Sequence, residues 1–151
     1  MTQEQDMPSR RKIKAFVDCC VLMDYFQGRE GSEDAESILA LAEKGAIECH
    51  TSSVIICTLA YLFEKHKVTS RTEIPQIIKS LTEIVSILSV NDDDISYAID
   101  NSKGDFEDAV EISCANKVCD CIITNNISHF KKISSLPVFS PGDFLLSSTD
   151  F

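Results

Sequence analysis

The chain has 151 residues and a mass of 16.8 kDa, the size of one compact domain with little room for a second. With 44% hydrophobic and 25% charged residues it is ordinary globular material, which excludes wholesale disorder, collagen and a disulfide-packed mini-protein. Its 14 Lys+Arg against 24 Asp+Glu give a net charge of −10, so bulk positive charge does not hold nucleic acid here, although an acidic cleft that binds cations can still meet a polyanion.

Residues 1–12 are polar, with Arg10, Arg11 and Lys12 in a row, and read as a loose tail before a single domain over 13–151. Ile13 to Cys19 is an apolar run that fits a buried strand ending at Asp18. Val21 to Phe26 reads as a short helix closed by Gly28, and Glu33 to Lys44 as an amphipathic helix stopped by Gly45. Ala46 to His50 is a second strand. Thr51, Ser52 and Ser53 offer N-caps for a long helix from Val54 to Lys65. Thr72 to Leu81 is helical, with Pro75 in its first turn, and Ile84 to Val90 is a third apolar strand. Asn91-Asp92-Asp93-Asp94 opens a helix to about Asn101, and capping accounts for that acidic run. Asp105 to Val118 is the next helix, Cys119 to Thr124 a strand, Pro137 to Phe139 a last one, and Pro141 opens a final helical turn. Strands alternate with helices across short linkers, which predicts an α/β fold, a three-layer α/β/α sandwich with a mainly parallel central sheet.

No apolar run reaches the roughly 18 residues that span a bilayer, and the opening MTQEQDMPSRRKIK lacks an apolar signal core. A cytoplasmic protein is expected. The seven cysteines are odd in number and form no CxxC pair, so they read as reduced thiols serving as small apolar residues. Cys119 and Cys121 have the alternate spacing of a strand, and the three histidines make no zinc pattern. Phosphate-cradling glycine loops and GxSxG are absent.

In open parallel sheets, sites form beyond the C-terminal ends of strands. That rule selects Asp18 at the end of the first strand and Thr124, Asn125 and Asn126 after the strand from Cys119. It adds Asp105 and Asp108, which share a face in the first turn of the preceding helix. Such oxygen donors converging on one point suit a hard divalent ion, Mg²⁺ or Mn²⁺. Each also has a local role open to it: Asp18 and Asp105 as helix N-caps, Asp108 as a first-turn charge and Asn126 as a turn residue or cap.

Four segments carry a resemblance. Phe16-Val17-Asp18-Cys19-Cys20-Val21-Leu22-Met23-Asp24 resembles the opening of PIN domains, and Gly104-Asp105-Phe106-Glu107-Asp108-Ala109-Val110 resembles their DFEDA segment. Cys121-Ile122-Ile123-Thr124-Asn125-Asn126 to Phe130 is similar to their IVTRNxxDF stretch, and Pro137 to Leu145 to their closing IPVLSPxEFL. The resemblance implies a ribonuclease of the VapC toxin type that uses Mg²⁺ or Mn²⁺, hydrolyses RNA, forms a homodimer and is neutralised by a small antitoxin protein. It places Asp18, Asp108 and Asn126 at the metal and Asp18, Asp108 and Asp105 in catalysis. Two departures stand out. Thr58 occupies the place where the family has an acid in its middle helix, and His129 the second acidic place of the last motif. An ion held through few carboxylates is weakened by losing one. The alternative is therefore a PIN fold that has lost its chemistry and acts by binding protein or RNA. A receiver-like phosphoprotein lacks its mid-chain acceptor Asp and late Lys.

Overall fold

The computed structural model describes residues 11–147. Residues 1–10 of the expected tail, Arg10 among them, and residues 148–151 of the expected domain lie outside that range. The elements are β1 (Lys14–Val17), α1 (Cys19–Gln27), α2 (Ser32–Glu43), β2 (Glu48–Ser52), α3 (Ser53–Lys65), α4 (Ile74–Thr82) and β3 (Val85–Leu88). They continue with α5 (Asp92–Asn101), α6 (Phe106–Val118), β4 (Cys121–Ile123), α7 (Ile127–Ile133), β5 (Val138–Phe139) and α8 (Pro141–Ser147). The five strands form one sheet in the order β3-β2-β1-β4-β5, and every pairing is parallel. The expected α/β sandwich is the observed fold.

The helices fall into two packing groups: α1 to α4 with α8, and α5 to α7. Between them lie the fully buried Phe16, Ile122 and Ile123 of the two central strands, with Phe63, Phe130 and Phe144 from the helices. Burying each such side chain contributes on the order of 2 kcal/mol.

Several boundaries move for local reasons. The first strand stops at Val17, because Asp18 is extended and caps α1, which therefore starts at Cys19 rather than Val21. The second strand runs on to Ser52, whose hydroxyl accepts the Ile55 N–H at 3.0 Å and starts α3. That cap, with burial of Ile55, carries the β-branched Val54-Ile55-Ile56 into helix against its propensity. Cys119 is not on a strand: it is the C-cap of α6, and only Cys121 belongs to β4. Both thiols are buried, as are Cys49 and Cys114, whereas Cys57 is exposed and departs from the expected apolar role. All seven cysteines are free. Asn91 and Asp94 close a capping box at the start of α5, as the acidic run predicted. Arg11 of the basic cluster pairs with Asp120, just before β4 and so at the end of the sheet opposite the expected acids. Among the described residues no helix is long and apolar enough to cross a membrane.

Candidate metal centre

The strand order reverses at β1: β2 and β3 extend the sheet on one side, β4 and β5 on the other. The ends of β1 and β4 therefore open onto a switch-point crevice, where a parallel sheet builds its site. Asp18 sits there. Its backbone N–H donates to Ile123 O at 3.0 Å, continuing the β1–β4 ladder. One carboxylate oxygen, Oδ1, accepts the Cys19 N–H at 2.8 Å and caps α1. The other, Oδ2, accepts the Thr124 hydroxyl at 2.7 Å and the Cys20 thiol at 3.3 Å. Asp18 is thus a cap and also a cross-strand contact, only 8% exposed. Burial raises its pKa, the Thr124, Cys20 and Cys19 bonds oppose that rise, and the Asp105 charge adds to it.

Asp105 and Asp108 arrive from the other side of the crevice. Asp105 caps α6 by accepting the Asp108 N–H at 3.1 Å. This leaves the Asp108 carboxylate in the first helical turn, where Oδ2 accepts from Asn126 Nδ2 at 3.3 Å. Burial, then the charges of Asp105 and Asp18, push the Asp108 pKa up to about 7. Asn126 is held by its own N–H, which donates to Thr124 Oγ1 at 2.9 Å. Its amide nitrogen also lies 3.0 Å from His129 Nδ1. Donation by that amide to both neighbours places the proton of neutral His129 on Nε2. His129 Nδ1 is 3.7 Å from Asp108 Oδ2.

The four expected residues, Asp18, Asp105, Asp108 and Asn126, thus line one open cleft of about 440 Å³. One ligand atom each from Asp105, Asp108 and His129 lie within 4.8 Å of one another. This set of carboxylate oxygens with one imidazole fits Mn²⁺ well and Mg²⁺ adequately. Leu62 and His66 of α3 also line the cleft. Thr58, one turn before Leu62, stands on that same side of α3. His66 is the C-cap of α3 and also borders the cleft.

Two residues were not among the expected site residues. His129 follows Asn126 at helical spacing, which puts both on one side of the first turn of α7. Glu111 stands one turn beyond Asp108, in a stretch of α6 buried from Ala109 to Ala115. Burial pushes its pKa up to about 8, with the charges of Asp18, Glu107 and Asp108 adding to the rise and the Ser52 hydroxyl opposing it.

Cys19 and Cys20 are half-buried beside Asp18 and pack against the core. Burial and then the Asp18 charge push their thiols up to about 12 and about 11, so they are neutral and not nucleophiles. Cations border the acids. Arg29 pairs with Asp24 at 2.9 Å on one side. Lys103 and Lys132 line a neighbouring hollow that contains Asp105 and His129.

Comparison with known proteins agrees with this geometry. A family model described as PIN domain matches residues 14–128. No curated protein matches. Among solved structures, the chain is similar to VapBC-1 from nontypeable Haemophilus influenzae, at 15% identity and TM-score 0.63 over 86% of this chain and 99% of that one. It is similar to VapBC2 from Rickettsia felis, a structure bound to a DNA fragment from its promoter, at 15% identity and TM-score 0.61 over 83% and 97%. A toxin-antitoxin complex from Klebsiella pneumoniae resembles it at 20% identity and TM-score 0.59 over 84% and 97%.

Proposed function

The chain belongs to the PIN domain family, and from that premise we propose that it is a Mg²⁺- or Mn²⁺-dependent endoribonuclease of the toxin–antitoxin type. One observation carries the reading: Asp18 from the end of β1 and Asp108 from α6, 90 positions apart in the sequence, line one cleft, and the Asp18 charge helps to raise the Asp108 pKa to about 7. Neither acid is spent on capping alone. The structural neighbours described as VapBC and toxin-antitoxin complexes support a small antitoxin as partner. A homodimer and a cytoplasmic setting complete the proposal.

Asp18, Asp108 and Asn126, with Asp105 and His129 beside them, would hold the ion. When bound, it supplies Lewis acidity toward the phosphate and lowers the pKa of water at the site. The chain's own groups do the rest. Arg29, Lys103 and Lys132 flank the acids and give the phosphates of a bound strand cationic footing on a chain of charge −10. Thr124 fixes both Asp18 and Asn126 through one hydroxyl, so strand β4 sets their separation. Asn126 orients His129, whose Nε2 can carry a proton while Nδ1 stays bonded.

The purified chain with Mn²⁺ is expected to cleave a mixed RNA pool, and Asp18→Asn to abolish cleavage. Equal behaviour of the two proteins sinks the enzyme reading. The second reading, a PIN module that only binds protein or RNA, is favoured by Thr58, which offers α3 no carboxylate at the cleft.

A further inference from the structure

Glu111 is the buried acid that the fold leaves without a counterpart. It is 1% exposed, and among the described residues neither carboxylate oxygen has a hydrogen-bond partner of good geometry. The Ser52 hydroxyl, the polar group beside it, accepts the Ile55 N–H, keeps its own proton free to donate, and favours the charged form of Glu111 without supplying a counter-charge. No ion pair reaches Glu111 among the described residues. Buried carboxylates are normally paired, hydrogen-bonded or bound to a metal. The same helix shows the contrast at close range. Ser113 and Lys117 of α6 both bind the fully buried Asp94 of α5, at 2.8 and 2.7 Å.

The surroundings of Glu111 are acidic. Asp108 precedes it by one helical turn, and the charges of Asp18, Glu107 and Asp108 all bear on it. On β1's side of the cleft, the Cys19 thiol also feels its charge. Glu111 thus stands one helical turn from Asp108 and beside Ser52 at the end of β2, the same end of the parallel sheet as Asp18. The complementary gap is on α3, where Thr58 offers no carboxylate.

Resting on the metal-dependent reading above, we propose that Glu111 is a further ligand of the divalent-cation site, supplying from α6 the carboxylate that α3 lacks. The ion is the counter-charge that this otherwise orphaned group requires, and the site then has three carboxylates from Asp18, Asp108 and Glu111 instead of two. Affinity is restored by a residue on a different helix from the one that lost its acid.

Mn²⁺ is titrated into the full chain, followed by calorimetry and by thermal unfolding. Wild type is expected to bind and to gain thermal stability. Glu111→Gln, which keeps shape and removes charge, is expected to weaken Mn²⁺ at least about tenfold without lowering the metal-free unfolding temperature. Adding Thr58→Glu to that variant is expected to recover most of the loss. Should the Gln variant not fold, Glu111→Met preserves volume, and the same weakening is expected. If Glu111→Gln and Glu111→Met bind Mn²⁺ as wild type does while Asp18→Asn does not, Glu111 is a neutral core acid and the proposal is overturned, with the metal site intact. If wild type itself shows no binding, the metal-dependent reading falls and this proposal with it.

Discussion

Acids at the two halves of α6 are treated in opposite ways. Asp94, fully buried between α5 and α6, meets the Lys117 ammonium at 2.7 Å, the Ser113 hydroxyl at 2.8 Å and the Asn91 N–H at 2.9 Å. Burial raises its pKa, but those three partners outweigh it and hold the group below the usual carboxylate range. Among the described residues, Asp18, Asp108 and Glu111 have no cation of this kind, and burial with repulsion from neighbouring acids drives all three upward. A fold that neutralises one acid so thoroughly is capable of neutralising the others. That it leaves them strained against each other marks the cleft as a place where an external cation is expected.

The largest test of this contrast is Asp18→Asn. Cleavage of RNA should fall by roughly 10²–10³-fold or more, as when a charge-stabilising group is removed from an active site. Urea unfolding of the metal-free protein should show no comparable loss. Asp94→Ala should do the reverse. Losing the ion pair and capping box together is expected to cost about 3 kcal/mol in urea unfolding, with activity per folded molecule retained. Should Asp94→Ala lose activity while remaining fully folded, the division between the two groups is wrong.

The pH dependence comes next in size. Asp108 and Glu111 move from ordinary carboxylate values to about 7 and about 8 on folding. Groups raised in this way contribute stability that is full below their unfolded pKa and is lost as pH rises through the folded value. Metal-free stability should therefore decline between about pH 4 and pH 8, and saturating Mn²⁺ should remove the slope. Asp94, shifted downward, contributes stability above its unfolded pKa that is lost as pH falls below it. Asp108→Asn should flatten part of the alkaline decline and stabilise the metal-free chain by roughly 1 kcal/mol at pH 8, by relieving repulsion. The smallest effect is expected of Thr58→Glu alone. Where Glu111 already supplies a carboxylate, a further one should improve Mn²⁺ affinity by only a few-fold in calorimetry.

Much of the site was legible because its residues have local signatures. Asp18 follows an apolar strand, Asp105 and Asp108 open a helix three positions apart, and Asn126 follows another strand. The strand-end rule for parallel sheets needs only the order of elements to select them. Glu111 carried no such signal. In the sequence it is one acid in a helix, and its burial arises because α6 is packed between α5, α7 and the sheet. His129 was read only as a departure at the second acidic place of the last motif, and only the turn of α7 brings its ring beside Asn126.

The sequence alone determined the alternation of elements, the caps at Asp18, Ser52, Asn91 and Asp105, and the acids that stand at strand ends, since these follow from hydrophobic period and short-range hydrogen bonding. Only the tertiary structure decided which acids are paired with a cation and which are left facing one another. Ionisation inside a protein depends on the burial and charges that distant segments bring together, and those distances exist only after the sheet has closed around β1.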